Sequence, residues 1–122
     1  MLSDASLHIV SQQAQPDNST NLESSQKAVE HLISYGHTKI AYLGDNPQIY
    51  TAQERYAGYV KALKAAKISL DPSLVFKGFE TADQAVISLR NLLRSSNAPT
   101  AIFASQNLLT MVALQALHAE GL

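Results

Sequence analysis

Residues 39–44 read KIAYLG and run directly into a GDNP turn at residues 44–47. A short apolar run that stops at such a turn is typical of a buried strand. Two further runs have the same character, LVF at residues 74–76 and TAIFA at residues 100–104. Helical patterns lie between these runs. Strands that alternate with helices predict an α/β fold, with a three-layer arrangement in which helices flank a parallel sheet.

The helices are indicated by apolar spacing and by residues that favour helix ends. Residues 21–35 place their apolar side chains on one helical face, and Gly36 is a good stop signal. The sequences TAQE at residues 51–54 and TADQ at residues 81–84 each fit a capping box, which satisfies free amides at a helix start. Asn107 is expected to cap the last helix, which runs toward the glycine near the end of the chain.

The organisation of the chain predicts a tail and a partial domain. Residues 1–20 are expected to form a tail, or a partial strand at residues 7–10 followed by a polar loop. Residues 21–122 carry the regular pattern. Three strands are few, because typical sheets have about five or six. We therefore expect the chain to be part of a larger α/β protein.

The last helix is unusually apolar. From residue 108 to residue 119 only Thr110, Gln115 and His118 are not apolar. A helix that is apolar nearly all round is buried on more than one side. We expect this helix to pack on the sheet with one face and on another subunit with the other.

Composition and missing motifs exclude several classes of protein. The 122 residues contain no cysteine and carry a net charge of -1, with 46% hydrophobic and 16% charged residues. A thiol nucleophile, a thiolate metal site and a basic nucleic-acid-binding surface are therefore excluded or disfavoured. No apolar run is long enough for a membrane helix, and the amino terminus lacks the pattern of a secretory signal. The histidines lack helical metal-site spacing, and no phosphate loop, dinucleotide fingerprint or nucleophile elbow occurs. We expect no enzyme activity, metal or cofactor.

In an open parallel sheet, ligands bind beyond the carboxyl ends of the strands, which here are the loops at residues 45–51, 78–81 and 105–107. Amide, arginine and aromatic side chains in or just after them suit a polar small molecule. The candidates are Asp45, Asn46, Gln48, Tyr50, Thr51, Arg55, Phe79, Glu80, Gln106 and Asn107. Each has a structural alternative. Arg55 suits a surface ion pair, Phe79 the edge of the core, and Thr51, Gln106 and Asn107 helix capping.

Four segments together resemble LacI/GalR-type transcriptional regulators. They are GHTKIAYLG at residues 36–44, RYAGYVKAL at residues 55–63, PTAIFA followed by SQN at residues 99–107, and ALQAL at residues 113–117. The resemblance covers about residues 21–122, in the family's order and spacing. It implies a periplasmic-binding-protein-like effector domain, which has two α/β subdomains with a ligand cleft between them. This chain matches most of the carboxyl-terminal subdomain.

The resemblance also implies site residues. Arg55 falls on the family's ligand-binding arginine, and Phe79 on a position that often holds an aromatic side chain against the effector. Gln106 falls on the asparagine of the family's Asn-Asp turn, and Thr51 lies in a loop that supplies further polar contacts. The chain departs from the family at Gln106 and Asn107, which replace Asn-Asp with a longer amide and lose the acid.

The function that the resemblance implies is effector sensing and dimerisation in a bacterial repressor. The expected partners are a small polar, sugar-like effector and a second copy of the chain, held by the helices at residues 81–93 and 108–119. DNA would be bound only through a helix-turn-helix outside this chain, in the cytoplasm and away from any membrane. The alternative is part of a sugar-binding protein that feeds a transporter, since the same fold serves both.

Overall fold

Four strands and four helices alternate along the chain in a computed structural model, which describes residues 8–11 and 20–122. A short 3-10 helix at Pro72–Leu74 precedes the third strand. The elements, in chain order, are β1 His8–Ser11, α1 Asn21–Ser34, β2 Ile40–Gly44, α2 Tyr50–Ala65, β3 Val75–Lys77, α3 Ala82–Arg94, β4 Ala101–Ala104 and α4 Asn107–Ala119.

The strands form one parallel sheet in the order β1-β4-β2-β3. The predicted α/β fold with a parallel sheet is confirmed, but the described sheet has four strands where three were counted. The additional strand is the apolar segment near residue 9, for which the sequence offered no neighbouring partner. Its partner is β4, with Ile9 paired to Ile102, more than ninety residues further along the chain. The polar segment at residues 12–19, predicted as a loop or tail, lies outside the described residues.

The side chains of β2 and β4 alternate between two cores. Ile40 and Tyr42 join one core together with Phe103, and α1 and α2 cover that face. Ala41 and Leu43 join the other core, which α3 and α4 cover. Because successive residues of a strand point to opposite faces, an apolar strand contributes side chains to both cores. The three-layer arrangement predicted from the sequence is confirmed.

The start of α2 corrects one predicted capping box. The helix begins at Tyr50, its N-cap is Ile49, and no side chain caps it. Thr51 therefore lies inside the first turn. The preceding loop is held instead by Gln53, whose side-chain amide donates to the Pro47 carbonyl at 2.8 Å. Glu54 accepts a hydrogen bond from Asn21 at 3.1 Å and takes no part in capping.

Two other helix starts also differ from the sequence pattern. Thr81 caps α3 as predicted, because its hydroxyl accepts from the backbone amide of Gln84 at 3.0 Å. The side chain of Gln84, however, accepts from the backbone amide of Glu80 rather than from that of Thr81. Asn107 was wrongly assigned as the cap of α4. The N-cap is Gln106, again without a side-chain cap, because its amide group is turned toward the β2 loop.

The complete capping box stands at α1, where it was not predicted. The Thr20 hydroxyl accepts from the Glu23 amide at 3.1 Å, and the Glu23 carboxylate accepts from the Thr20 amide at 3.0 Å. The helix ends as expected before Gly36, whose φ of +94° suits glycine. None of the described helices is long and apolar enough to cross a membrane.

Candidate functional site

The strand order creates a crevice between β2 and β4 at the carboxyl edge of the sheet. These two strands are neighbours, but the loop after β2 leads to α2 on one face and the loop after β4 leads to α4 on the other. Loops that diverge from adjacent parallel strands leave a gap in which ligands bind in open α/β sheets. The Ser105 amide donates to the Leu43 carbonyl at 2.9 Å, which keeps the two strands together up to this gap.

A side-chain hydrogen bond joins the two loops at the crevice. The Gln106 amide donates to the carboxylate of Asp45, which also accepts from the backbone amide of Asn46 at 2.7 Å. Asp45 directly follows β2 and Gln106 directly follows β4. The amide that the sequence singled out at position 106 therefore faces the crevice, and its partner is one of the ten polar and aromatic candidates.

Phe79 shares a cavity with Gln106. The cavity has a volume of about 160 Å³, and Gly44, Asp45 and Thr81 also line it. The Phe79 ring stacks on Phe76 with centroids 6.0 Å apart and packs against the core. Phe79 thus contributes to the edge of the core and to the wall of the cavity at the same time.

Arg55 lies on α2, near Tyr42. Its guanidinium Nε is buried and has no hydrogen-bond partner among the described residues. Burial raises the pKa of Tyr42 to about 12, while Ser105 and Arg55 act in the opposite direction and Asp45 adds to the increase. Arg55, Ser105 and Asp45 therefore all lie close enough to the Tyr42 hydroxyl to influence its charge.

A second, smaller cavity opens beside Tyr42. Its volume is about 130 Å³, and its walls include Asp45, Tyr56 and Lys77. The Lys77 ammonium lies 3.4 Å from the centroid of the Tyr56 ring, a distance typical of a cation–π contact. Asp45 lines both cavities and is the residue that connects them.

The four predicted site residues are not all brought together. Gln106 and Phe79 line one cavity, whereas Arg55 lies near Tyr42 and lines neither cavity. Thr51 is exposed on the first turn of α2 and lines neither cavity. Both volumes are below the roughly 300–1,000 Å³ typical of ligand pockets. The described residues therefore provide a wall with two recesses, and a ligand of sugar size needs further protein opposite it.

Two residues at this edge were missed in the sequence. Tyr42 was assigned only to a buried strand, and Ser105 only to a loop. The available signal was a phenol in the middle of an otherwise apolar run and a serine two residues after Phe103, on the same face. Within the described part of the chain, no group of three His, Asp or Glu side chains could hold a metal ion.

Comparison with known proteins places the chain in a family. Residues 29–122 match the family model described as "Periplasmic binding protein-like domain". The HTH-type transcriptional repressor PurR of Mannheimia succiniciproducens is 31% identical over 105 residues, which cover 86% of this chain and 31% of that protein. The chain thus spans about a third of the length of this curated relative.

Two solved structures show the same architecture. A sugar-binding transcriptional regulator of the LacI family from Escherichia coli, complexed with phosphate, superimposes with a TM-score of 0.76 and 30% identity, over 93% of this chain and 43% of that one. The transcriptional regulator CelR in complex with cellobiose gives a TM-score of 0.74 and 30% identity, over 97% of this chain and 34% of that one.

The fold and the edge of the sheet therefore define a periplasmic-binding-protein-like α/β subdomain. The chain belongs to the periplasmic binding protein-like domain family, in the form that serves as the effector domain of LacI-family transcriptional regulators. The family resemblance predicted from the four sequence segments is confirmed. The relatives described above are named as regulators, which agrees with the expectation that the chain is not an enzyme.

Proposed function

We propose that this chain senses a neutral, sugar-like effector at the crevice between β2 and β4 and passes the binding signal to DNA-binding heads elsewhere in the protein. The observation that carries the proposal is the buried, unpartnered Nε of Arg55 near Tyr42. A buried guanidinium nitrogen without an acceptor is costly, and a ligand oxygen would satisfy it.

The charges at the crevice favour an uncharged ligand. The cation Lys77 and the anions Asp45 and Glu80 line the two cavities, and the cation Arg55 lies near Tyr42, which lines one of them. A site with both cationic and anionic side chains suits ligand hydroxyl groups, because a hydroxyl can donate a hydrogen bond to one and accept from the other. The structurally similar CelR was solved with cellobiose, and a disaccharide or monosaccharide is therefore the ligand class that we propose here.

The proposed ligand site is tested by titration of the intact protein with cellobiose and a panel of neutral monosaccharides and disaccharides, followed by calorimetry. We expect Arg55→Ala to weaken binding of whichever sugar binds by about tenfold or more, because a charge-assisted hydrogen bond is lost. Arg94→Ala is the matched control, since Arg94 pairs with Glu120 on the α3–α4 side. Equal affinities of the two variants would remove Arg55 from the site.

We also propose that α3 and α4 form a homodimer interface. Four large apolar side chains are exposed on the outer side of these helices, and the least exposed of them, Leu114, is still 49% exposed. These four, which we call the α3–α4 face, are Ile87, Leu108, Met111 and Leu114. A groove of about 630 Å³ lies between the helices and is lined by Ile87, Met111 and Leu114. Exposed apolar patches of this kind mark protein interfaces.

Self-association is tested by light scattering of the intact protein. We expect Met111→Glu to shift the protein toward the monomer, because a buried carboxylate at the centre of the interface has no partner. Leu70→Glu is the matched control, as Leu70 is an exposed apolar residue outside the α3–α4 face. A wild-type protein that is monomeric at all concentrations tested would contradict the proposal.

Effector binding and dimerisation together suit a cytoplasmic repressor. A ligand that binds one closure state of the cleft better than another shifts the population of states, and the dimer transmits that shift to the DNA-binding heads. The alternative from the sequence was a solute-binding protein of a transporter. The regulator is favoured because the relatives described above are all named as regulators of transcription.

A further inference from the structure

Three buried polar side-chain atoms have no hydrogen-bond partner among the described residues. They are the Tyr42 hydroxyl, the Ser105 hydroxyl and the Nε of Arg55. Tyr42 and Ser105 are each only 1% exposed. Buried polar groups in native proteins are nearly always paired, so three orphans in one region call for a shared partner.

The backbone places the two hydroxyls at the same level of the sheet. A Cβ built on Gly44 would lie 2.9 Å from the Tyr42 hydroxyl oxygen, so the Tyr42 ring runs along β2 to its carboxyl end. Ser105 is bonded through its amide to the Leu43 carbonyl, directly before Gly44. Ser105 also follows Phe103 by two residues, which puts it on the face that carries Tyr42. Gly44 is therefore the residue whose missing side chain leaves room for the phenol.

The neighbouring tyrosine shows what a purely structural phenol looks like in this core. Tyr59 is also 1% exposed, and its ring centroid lies 5.1 Å from that of Tyr42. Its hydroxyl donates to the Ile40 carbonyl at 2.7 Å. The two tyrosines of this cluster thus differ at the hydroxyl: that of Tyr59 donates to a backbone carbonyl, whereas that of Tyr42 has no such acceptor and has the Ser105 hydroxyl as its polar neighbour.

We propose that the hydroxyls of Tyr42 and Ser105, together with Arg55 Nε, form the floor of the effector site and bind one hydroxyl group of the ligand. This deepens the proposed function and rests on it. The guanidinium Nε can only donate, whereas the phenol and the serine hydroxyl can donate and accept. A ligand alcohol can accept from one of these groups and donate to another. The nearby Asp45 carboxylate disfavours an anionic oxygen in the same place.

Access to this floor depends on the loop bridge at the crevice. Asp45 follows Gly44, and Gln106 follows Ser105, so their hydrogen bond spans the two loops immediately beyond the two hydroxyls. Because the atoms of the floor are buried, we expect a ligand hydroxyl that reaches them to displace the Gln106 amide from Asp45. The Asp45 carboxylate then accepts from the ligand hydroxyl in place of the Gln106 amide, so that this acceptor is satisfied in both states.

The two tyrosines provide the test, with thermal unfolding and sugar titration of the intact protein as paired measurements. Tyr42→Phe removes an unpaired hydroxyl, so we expect no loss of thermal stability and a roughly three- to tenfold weaker affinity for the bound sugar. Tyr59→Phe leaves the Ile40 carbonyl without its donor, so we expect a lower Tm and unchanged affinity. Ser105→Ala is the second site variant and should behave like Tyr42→Phe.

The outcomes separate this inference from the proposed function. If affinity falls in Tyr42→Phe and Ser105→Ala while Tyr59→Phe binds normally, the floor is supported. If Arg55→Ala loses binding but Tyr42→Phe and Ser105→Ala bind like the wild type, the floor is overturned and the effector site stands. If the wild type binds no sugar of the panel, the proposed function fails, and the floor fails with it. A loss of Tm in Tyr42→Phe as large as that in Tyr59→Phe would also overturn the floor, because the hydroxyl would then have a structural partner.

Discussion

At the scale of single residues, two glycines make the packing of the site possible. Gly44 leaves room for the ring of Tyr42 at the end of β2. Gly58 lies where α2 crosses α1, and a Cβ there would come within 2.7 Å of the Ser25 Cβ. Gly58 is the glycine of the RYAGY motif, so the close helix contact explains its place in the motif next to Arg55. The same contact holds the turn of α2 that carries Arg55 against the rest of the domain.

Gly58→Ala provides a direct check of this contact. We expect the free energy of unfolding to fall by about 1–3 kcal/mol, since overpacking a fixed helix contact outweighs the better helix propensity of alanine. Denaturant unfolding measures the change. Lys61→Ala, at an exposed position of the same helix, should change stability by no more than about 0.5 kcal/mol. An unchanged stability in Gly58→Ala would mean that α1 and α2 are free to separate.

At the scale of elements, the strands were predictable and the helix starts were only partly so. The three predicted strands are short apolar runs because a strand between two helical layers buries both faces. The strand β1 could be suggested but not paired, because its partner β4 is distant in the chain. The pattern Thr-x-x-Glu occurs at residues 20–23 and 51–54, and only the first forms a capping box. The start of α2 depends on the loop around Pro47, which Gln53 holds in place. The Thr-x-x-Glu pattern does not predict that contact.

In the candidate site, too, contacts between residues distant in the chain could not be predicted from the sequence. The rule that ligands bind at the carboxyl ends of parallel strands selected the loops after β2 and β4, which the structure joins, and its candidates included Asp45, Arg55 and Gln106. The hydrogen bond from Gln106 to Asp45 joins residues that are 61 positions apart, so no local sequence pattern predicts it. The orientation of the Tyr42 hydroxyl follows from packing around Gly44, which is a property of the folded state alone.

The two Thr-x-x-Glu sequences provide a matched pair of variants. Thr20→Ala should lower the free energy of unfolding by about 1 kcal/mol, because the Glu23 amide loses its acceptor. Thr51→Ala should change it by less than about 0.5 kcal/mol, because Thr51 caps nothing. Denaturant unfolding of both variants under identical conditions is the measurement. Equal losses would show that Thr51 caps α2 after all.

At the scale of the whole molecule, an ion-pair cluster joins α3 to the end of the chain after α4. Arg90 and Arg94 each donate to the carboxylate of Glu120 at 2.8 Å. These hydrogen bonds lower the pKa of Glu120 from its ordinary 4.5 to about 2. The cluster therefore fixes the relative position of the two helices that carry the α3–α4 face.

The low pKa of Glu120 makes stability depend on pH in a defined range. A carboxyl with a lower pKa in the folded state contributes fully above the unfolded value and loses that contribution as the pH falls through the folded value. We expect part of the decrease in Tm between pH 4.5 and about pH 2 to disappear in Glu120→Gln. Identical pH profiles of the variant and the wild type would show that the pair is broken in solution.

The central claim is that the effector binds at the carboxyl edge of the sheet, and amide hydrogen exchange of the intact protein tests it most directly. Exchange is compared with and without the sugar identified by titration. We predict that the sugar slows exchange in the loops at residues 45–51, 78–81 and 105–107, where β2, β3 and β4 end. Unchanged exchange in all three loops, with protection confined to the α3–α4 face or the opposite edge of the sheet, would contradict the claim.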